Sequence, residues 1–183
     1  VFVSNCCTDT ITVCDVATGA TVRFFGGPGD GKGQLKCPCK LCLVPCNGNF
    51  LVAEYSNLRV QEFTVTGDHV RFIGVGVIDS GIYGIACNSD AVVVTKTLHE
   101  NSHQVLMFDY DSGALLRSFG DCGSAEGQLG CGYGGVRFTA DNRHIIITEV
   151  GNDRLSMVTV EGTFVKCIGA GGELSCPNDV EFA

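Results

Sequence analysis

Two histidines and a glutamate lie close together in the segment 99–103, which reads H-E-N-S-H. In metalloproteases this H-E-x-x-H pattern lies on a helix, places both imidazoles on zinc and uses the glutamate as general base. Here the segment falls between two predicted strands, so no helix of adequate length fits. We predict no protease activity. We predict instead a polar binding loop that contains Thr97, His99, Glu100 and His103, with the two histidines as candidate zinc ligands.

The loop 97–103 is also the one turn whose length departs from its counterparts. From the last aliphatic residue of one strand to the first of the next there are 11 residues here, from Val94 to Val105, and 8 in the corresponding turns, for example from Val52 to Val60. An insertion of three residues that brings two histidines and a glutamate is typical of a binding loop. We expect any particular function of this chain to involve it.

A second candidate is a cluster of four cysteines within ten residues, namely Cys37, Cys39, Cys42 and Cys46. Four thiolates could hold zinc or an iron–sulfur cluster. However, the repeats described below run a strand through this segment, and a strand would point Cys37 and Cys39 to one side and the other two to the opposite side. We therefore favour buried or channel-lining thiols, with a metal or a disulfide as the alternatives.

The chain has 12 cysteines among 183 residues, and no Asn-x-Ser/Thr glycosylation site. Several cysteines, such as Cys14, Cys87 and Cys167, fall at strand positions where a small apolar residue would serve. A disulfide framework would require a secreted protein, for which the sequence gives no sign. We predict mainly free thiols in a reducing compartment, and hence a cytoplasmic location.

Two acid–arginine pairs recur at one position. Glu54 precedes Arg59 and Glu149 precedes Arg154, each by five residues, whereas the two other repeats have neither member. Because a repeat has either both the acid and the arginine or neither of them, we infer that the two form a bidentate ion pair that braces the turn between two strands. We predict that each pair lies within hydrogen-bonding distance and has a structural role.

The elements that position these residues are repeats. The segments 18–26, 66–74, 112–120 and 161–169 share two glycines seven residues apart, with an aliphatic residue and a cation between them. Their closing glycines lie 46 to 49 residues apart. Short strands punctuated by glycine at such a period indicate the blades of a β-propeller. We expect each segment to hold an outermost strand, whose cation protects an open edge.

The repeat over 33–74 shows four predicted strands joined by short glycine or asparagine turns. It reads G-Q-L from Gly33, N-G-N from Asn47 and N-L-R-V-Q-E-F from Asn57, and the repeat from Gly127 is similar. These motifs resemble the NHL repeat over nearly the whole chain. The resemblance implies a β-propeller, usually of six blades. Known roles of the family are protein binding, RNA binding in NHL-containing ubiquitin ligases, and a metal-dependent amidating lyase.

We therefore predict an all-β, NHL-type β-propeller domain over residues 1–183, made of about four blades of four antiparallel strands. The predicted blades are 33–74, 80–120, 127–169, and 1–26 completed by 174–183 as the missing first strand. A fragment of a larger propeller, a closed four-bladed ring and a half-ring completed by a second copy all remain open. Missing blades or a second copy could thus complete the ring.

Charge limits the choice of partner. The formal net charge is −8, and the 12 lysines and arginines are scattered, which argues against nucleic acid. No apolar run is long enough for a membrane span. Because the predicted loops carry more acids than bases, we expect a non-catalytic scaffold that binds a basic or polar protein or peptide, without a required cofactor. Further candidate contacts in these loops are Tyr55, Asp121 and Asp153. The alternatives are a metal-dependent lyase or lactonase, or the substrate-binding part of an NHL-containing ubiquitin ligase.

Overall fold

The computed structural model describes residues 1–96, 104–130 and 134–182. These residues form four separate antiparallel sheets, in each of which consecutive strands are neighbours. The prediction of an all-β fold with blade-like sheets is confirmed. The chain divides into two compact units, Val1–Ile82 and Tyr83–Ala183.

Sheets 1 and 2 belong to the first unit. Sheet 1 has three strands: β1 (Phe2–Asn5), β2 (Thr10–Cys14) and β3 (Thr21–Gly26). Sheet 2 has four: β4 (Pro38–Leu43), β5 (Phe50–Glu54), β6 (Arg59–Phe63) and β7 (His69–Ile73).

The remaining strands form sheets 3 and 4. Sheet 3 contains β8 (Ile82–Cys87), β9 (Ala91–Lys96), β10 (Val105–Asp109) and β11 (Leu115–Phe119). Sheet 4 contains β12 (Val136–Phe138), β13 (His144–Glu149), β14 (Arg154–Thr159) and β15 (Phe164–Ile168), with a 3-10 turn over Val150–Asn152. The strands are rich in β-branched and aromatic residues, and glycine or asparagine occupies most turns, which explains the short meanders.

The core of the first unit lies between sheets 1 and 2. Phe2 and Phe25 project from sheet 1 onto Phe50 of sheet 2, with ring centroids 4.7 and 5.7 Å apart. Ile11 and Phe63 are fully buried beside them. In the second unit, Phe119 of sheet 3 packs on an aliphatic cluster to which sheets 3 and 4 both contribute.

Glycine is required where one sheet meets the turn of the next. Gly67 and Gly162 both have left-handed backbone, with φ of +92° and +89°. A Cβ at either position would lie 2.8 Å from the ring of Phe25 or Phe119, respectively. The apolar residue directly before the repeat's closing glycine therefore packs on the turn glycine of the following sheet, and a side chain on that turn glycine would push the sheets apart.

The repeat's cation does more than protect an edge. Arg23 donates a hydrogen bond to the carbonyl of Val65 in the next sheet. Arg117 likewise donates to the carbonyl of Val160, at 3.1 Å. These two cations fasten neighbouring sheets at their outer rim, a role that differs from the predicted one.

The completion of the first sheet by residues 174–183 stays a prediction. Sheet 1 has three strands, and residues 174–182 form no strand. In the second unit, the carbonyl of Asn178 accepts hydrogen bonds from the Gly135 amide and the Thr148 hydroxyl, at 3.0 and 3.3 Å. An ion pair between Arg137 and Glu181, at 3.1 Å, holds the segment beside sheet 4. Among the described residues, no helix is long and apolar enough to cross a bilayer.

Candidate functional site: the anchored loop end of the sheets

A fully buried carboxylate anchors the loops at one end of sheet 2. Glu54, the last residue of β5, is 0% exposed and accepts four hydrogen bonds. Its Oε1 accepts from Arg59 Nε and Gln61 Nε2, both at 2.7 Å. Its Oε2 accepts from the Lys36 amide at 2.9 Å and from Asn57 Nδ2 at 2.6 Å. A buried charge with this many donors has its desolvation offset by hydrogen bonds.

The guanidinium of Arg59 extends this network into the connection between sheets 1 and 2. Its terminal nitrogens donate to the backbone carbonyls of Asp30, Gly31 and Gln34. Its plane also stacks over the ring of Phe72, with 4.2 Å between Cζ and the ring centroid. One arginine therefore binds the acid of β5, the incoming loop and the outer strand.

Sheet 4 repeats the arrangement, with Ser156 in the place of Gln61. Glu149 accepts from Arg154 Nε at 3.1 Å, from Asn152 Nδ2 at 2.6 Å, from the Gly130 amide at 2.8 Å and from the Ser156 hydroxyl. Arg154 donates onward to three carbonyls of the incoming loop, those of Ser124, Ala125 and Gln128. We call Glu54 and Arg59, or Glu149 and Arg154, with their hydrogen-bond partners, the anchor of their sheet.

Both predicted acid–arginine pairs are thus within hydrogen-bonding distance, but neither is bidentate. Each arginine contacts its acid through Nε, and its terminal nitrogens donate hydrogen bonds to backbone carbonyls instead. The pairs therefore do more than brace one turn: they fix the connections 27–36 and 121–130 onto the sheets that follow them.

The other two sheets have Asn5 and Lys96 at the position of the anchor's acid. In sheet 1, Asn5 Nδ2 donates to the hydroxyl of Thr12 at 2.8 Å. In sheet 3, Gln104 is 5% exposed and its amide donates to the carbonyl of Gly130 at 2.9 Å. Among the described residues, the amides of Asn5 and Gln104 thus make hydrogen bonds at this end of sheets 1 and 3.

A cavity of about 410 Å³ opens beside the anchor of sheet 2. Its wall is polar and combines two carboxylates with one ammonium and one amide; the lining residues are Asp9, Pro28, Gly29, Asp30, Lys36 and Asn57. The side-chain amide of Asn57 donates to the Gly29 carbonyl, so the anchor fixes one wall of the cavity. A cavity of this size and polarity can take a single polar side chain of a partner.

A disulfide joins the loops on the rim of this cavity. Cys6, in the β1–β2 turn, is bonded to Cys37, which precedes β4. Cys37 has left-handed backbone with φ of +49°, and its amide donates to the Asp9 carboxylate at 2.6 Å. The prediction of free thiols is therefore wrong for these two residues. Its basis was a strand through position 37, whereas β4 begins one residue later and the backbone turns there instead.

The other cysteines of the cluster do not converge. Cys39 is directed inward, and its thiol donates to the carbonyls of Ala53 and Ile82 at 3.3 and 3.2 Å. Burial raises the pKa of the Cys39 thiol to about 11. Cys46 is exposed. Within the described part of the chain, no group of three or more metal-binding side chains is assembled. Cys122 is also disulfide-bonded.

The structure describes some of the predicted contact residues and not others. Thr97, His99, Glu100 and His103 lie outside the described residues, so the loop and its zinc site stay predictions. The ring of Tyr55 is half-buried against Gly81, where a Cβ would meet it. Asp121 is exposed at the start of the loop into sheet 4.

Asp153 has a structural contact that the sequence analysis missed. Its carboxylate accepts a hydrogen bond from the amide of Cys176 at 2.7 Å, as Asp9 does from Cys37. Both acids have left-handed backbone at the end of their turns. The signal was present in the sequence, since an aspartate at this turn position recurs in the two repeats that are followed by a Cys-Pro pair.

The loops of the second unit are acidic. The described segments 121–130, 150–153 and 170–175 contain four acids, Asp121, Glu126, Asp153 and Glu173, and no lysine or arginine. In the first unit the corresponding segments 6–9, 27–36, 55–58 and 75–80 contain three acids and two lysines. The negative field is therefore concentrated on the loops anchored by Glu149 and Arg154.

A smaller cavity of about 240 Å³ lies at the opposite end of the strands of the second unit. Its wall mixes apolar side chains such as Met107 and Phe138 with Asp90, Asp109 and Arg117. This second cavity lies away from the anchored loops.

His69 gives the first unit a dependence on pH. Its Nδ1 is buried and has no hydrogen-bond partner among the described residues, and burial, together with the nearby cations of Lys32 and Arg59, lowers its pKa below 6.5. Since the unfolded chain then binds a proton more readily, stability is complete above about pH 6.5 and falls as the pH drops below it. We expect His69→Phe to reduce this loss, as measured by urea unfolding at pH 8 and pH 5.5. An unchanged difference between the two pH values would contradict the assignment.

Comparison with known proteins adds a structural likeness. The chain matches no protein-family model and no curated protein. Among solved structures it is similar to "Kuenenia stuttgartiensis Hydrazine Synthase", with a TM-score of 0.67 and 14% sequence identity. The match covers 91% of this chain and 44% of that one, so the chain spans less than half of its neighbour's length. At this identity the likeness shows the fold alone.

Proposed function

We propose that this chain is a non-catalytic binding module with NHL-type repeats, and that its acidic loops bind a basic segment of a protein or peptide. The observation that carries the proposal is that the described loops 121–130, 150–153 and 170–175 of the second unit carry four carboxylates and no lysine or arginine. A basic segment gains favourable electrostatic energy there, and nucleic acid is repelled.

The anchor supports this assignment because it holds the loop 121–130 in place before a partner binds. Three of its carbonyls accept hydrogen bonds from Arg154, and the Gly130 amide donates to Glu149. A loop that is already ordered loses less conformational entropy on binding than a mobile one. The acids that it carries, Asp121 and Glu126, are exposed.

Binding to a labelled peptide of alternating arginine and glycine tests the proposal. We expect fluorescence anisotropy to show binding that weakens with added salt. Asp121→Asn/Glu126→Gln should weaken it about fivefold, the effect of two exposed ion pairs. The control Asp141→Asn/Glu161→Gln removes the same charge from turns at the opposite strand ends and should change affinity less than the first variant. Equal loss in both variants, or no binding at low salt, would refute the assignment.

An enzyme, either a metal-dependent lyase or a lactonase, and the substrate-binding part of an NHL-containing ubiquitin ligase remain the alternatives. Zinc at His99 and His103 would favour the first of these, and elemental analysis of the purified protein measures it directly. The cytoplasmic location also stays a prediction. The Cys6–Cys37 disulfide favours an oxidising compartment instead.

A further inference from the structure

One face of sheet 1 is apolar and exposed. The strand register places Val3, Thr12 and Phe24 side by side on it, and Val1 follows in line with Val3. The exposed fractions are 60% for Val1, 43% for Val3 and 72% for Phe24. The opposite face of the same sheet is packed on sheet 2. A contiguous apolar face of this kind indicates a surface that another element covers.

The repeats identify what kind of surface this is. The positions equivalent to Val1 and Val3 are Phe50 and Val52 in sheet 2, and Ile145 and Ile147 in sheet 4. None of these four side chains is more than 3% exposed. In sheets 2 and 4 they receive the preceding sheet, as Phe50 receives Phe2 and Phe25. The exposed face of sheet 1 is therefore a receiving face without its partner.

Sheet 4 carries the complementary face. Leu155 and Ile168 are equivalent to Ile11 and Phe25, the residues with which sheet 1 packs on sheet 2. Ile11 is fully buried, whereas Leu155 is only half-buried and Ile168 is 37% exposed. Sheet 4 thus presents the surface that elsewhere in the chain enters a receiving face.

Sheets 1 and 4 each also have a residue of the kind that joins neighbouring sheets elsewhere in the chain. Gly19 corresponds to Gly67 and Gly162, and a Cβ on it would meet no atom within 4 Å, whereas its counterparts lie under a phenylalanine ring. Lys166 corresponds to Arg23 and Arg117, which bind the next sheet. Lys166 is exposed and, within the described residues, makes no such bond. The open space at Gly19 of sheet 1 and the exposed cation Lys166 of sheet 4 are therefore the two halves of the contact that joins neighbouring sheets elsewhere in the chain.

The missing first strand of sheet 1 has a counterpart beside sheet 4. Leu174 lies against Gly169 as Leu35 lies against Gly26, so residues 174–182 hold the position that leads into a further sheet. Sheet 1 has three strands, and the outer edge of β1 is unpaired within its sheet. A sheet of this kind placed after sheet 4 would acquire a fourth strand from that segment.

We propose that sheet 4 of one copy docks head to tail on the exposed face of sheet 1 of a second copy. Ile168 then covers Gly19, Lys166 reaches the carbonyl of Ala17, and residues 174–182 run beside β1 of that second copy. Because the two surfaces differ, the interface is heterologous and joins copies into a ring or a chain of copies.

Sedimentation of three single variants tests the interface. Val3→Asp places a charge on the receiving face and Ile168→Asp on the docking face, and each should weaken self-association at least about 100-fold by burying an unpaired carboxylate. The control Val70→Asp changes a valine of sheet 2 that is 45% exposed but lies outside both proposed contact faces. It should associate as the wild type does. Circular dichroism verifies that each variant is folded.

Mixing the two defective variants distinguishes this interface from a symmetric one. The Val3→Asp chain keeps its docking face and the Ile168→Asp chain keeps its receiving face, so an equimolar mixture should form a dimer with twice the mass of one chain. A mixture that stays monomeric would overturn the proposal. A wild-type protein that is monomeric at every concentration, as expected if the chain closes on itself or needs blades of a longer chain, would overturn it as well.

Discussion

Arg59→Met is expected to lower the free energy of unfolding of the first unit by about 3 to 5 kcal/mol, since it leaves the carboxylate of Glu54 buried without its cation. Glu54 is 0% exposed, and the Arg59 side chain is 8% exposed. The variant also removes the donors to three carbonyls of the loop 27–36. Urea unfolding followed by circular dichroism measures the change.

A matched control and a double variant separate the lost ion pair from a general effect of the substitution. Arg143→Met removes an exposed arginine from a turn and should change stability by less than about 0.5 kcal/mol. Glu54→Gln/Arg59→Met removes both charges and should recover part of the loss, because no ionised group then remains buried. A double variant that is less stable than Arg59→Met would contradict the account of the anchor.

Removing the disulfide with Cys6→Ala/Cys37→Ala is expected to cost about 3 to 4 kcal/mol, from the loop entropy that a cross-link over a separation of 31 residues takes from the unfolded chain. The control Cys7→Ala/Cys46→Ala removes two exposed free thiols and should be close to neutral. With reductant in both samples, the wild type and the first variant should have equal stability, because the bond of Cys122 is then reduced in both. Equal stability of the two variants without reductant would show that the bond does not form in solution.

The variant Cys6→Ala/Cys37→Ala also tests whether the disulfide stabilises the loops around the larger cavity of the first unit. Asp9, whose carboxylate holds the Cys37 amide, and Lys36 both line the cavity of about 410 Å³. Without the disulfide, the turn that contains Asp9 is still joined to the connection before β4 by that hydrogen bond and by one from the Gly27 amide to the Asp9 carbonyl, at 2.8 Å. We infer that oxidation of this pair stabilises the cavity of the first unit and leaves the loops of the second unit unaffected.

The strands and the ion pairs could be predicted because their signals are local. Gly26 and Gly169 mark the ends of outer strands through backbone conformations that other residues rarely adopt. Glu54 and Arg59 are five residues apart on a two-strand turn, so their proximity follows from the hairpin itself. The register pairs them directly, as it pairs Glu149 with Arg154.

The disulfide could not be predicted in this way. Cys6 and Cys37 are 31 residues apart and lie in loops that belong to different sheets. Their contact depends on how the connection before β4 packs against the turn between β1 and β2. The sequence pattern had placed Cys37 on a strand, and one residue of error in a strand boundary turns a side chain to the other face. The left-handed backbone at Cys37 is held by Asp9, another contact between sheets.

The repeat, the blade-like sheets and the arginine partners of the two buried acids could be predicted from the sequence, because each depends on residues within one hairpin or one repeat period. The contacts that join successive sheets are visible in the tertiary structure alone. They are the packing of Phe25 on Gly67, the hydrogen bond from Arg23 to the Val65 carbonyl, and the disulfide. The same structure left one receiving face of sheet 1 uncovered. The physical reason is that contacts between sheets depend on distances across the core, which no spacing along the chain specifies.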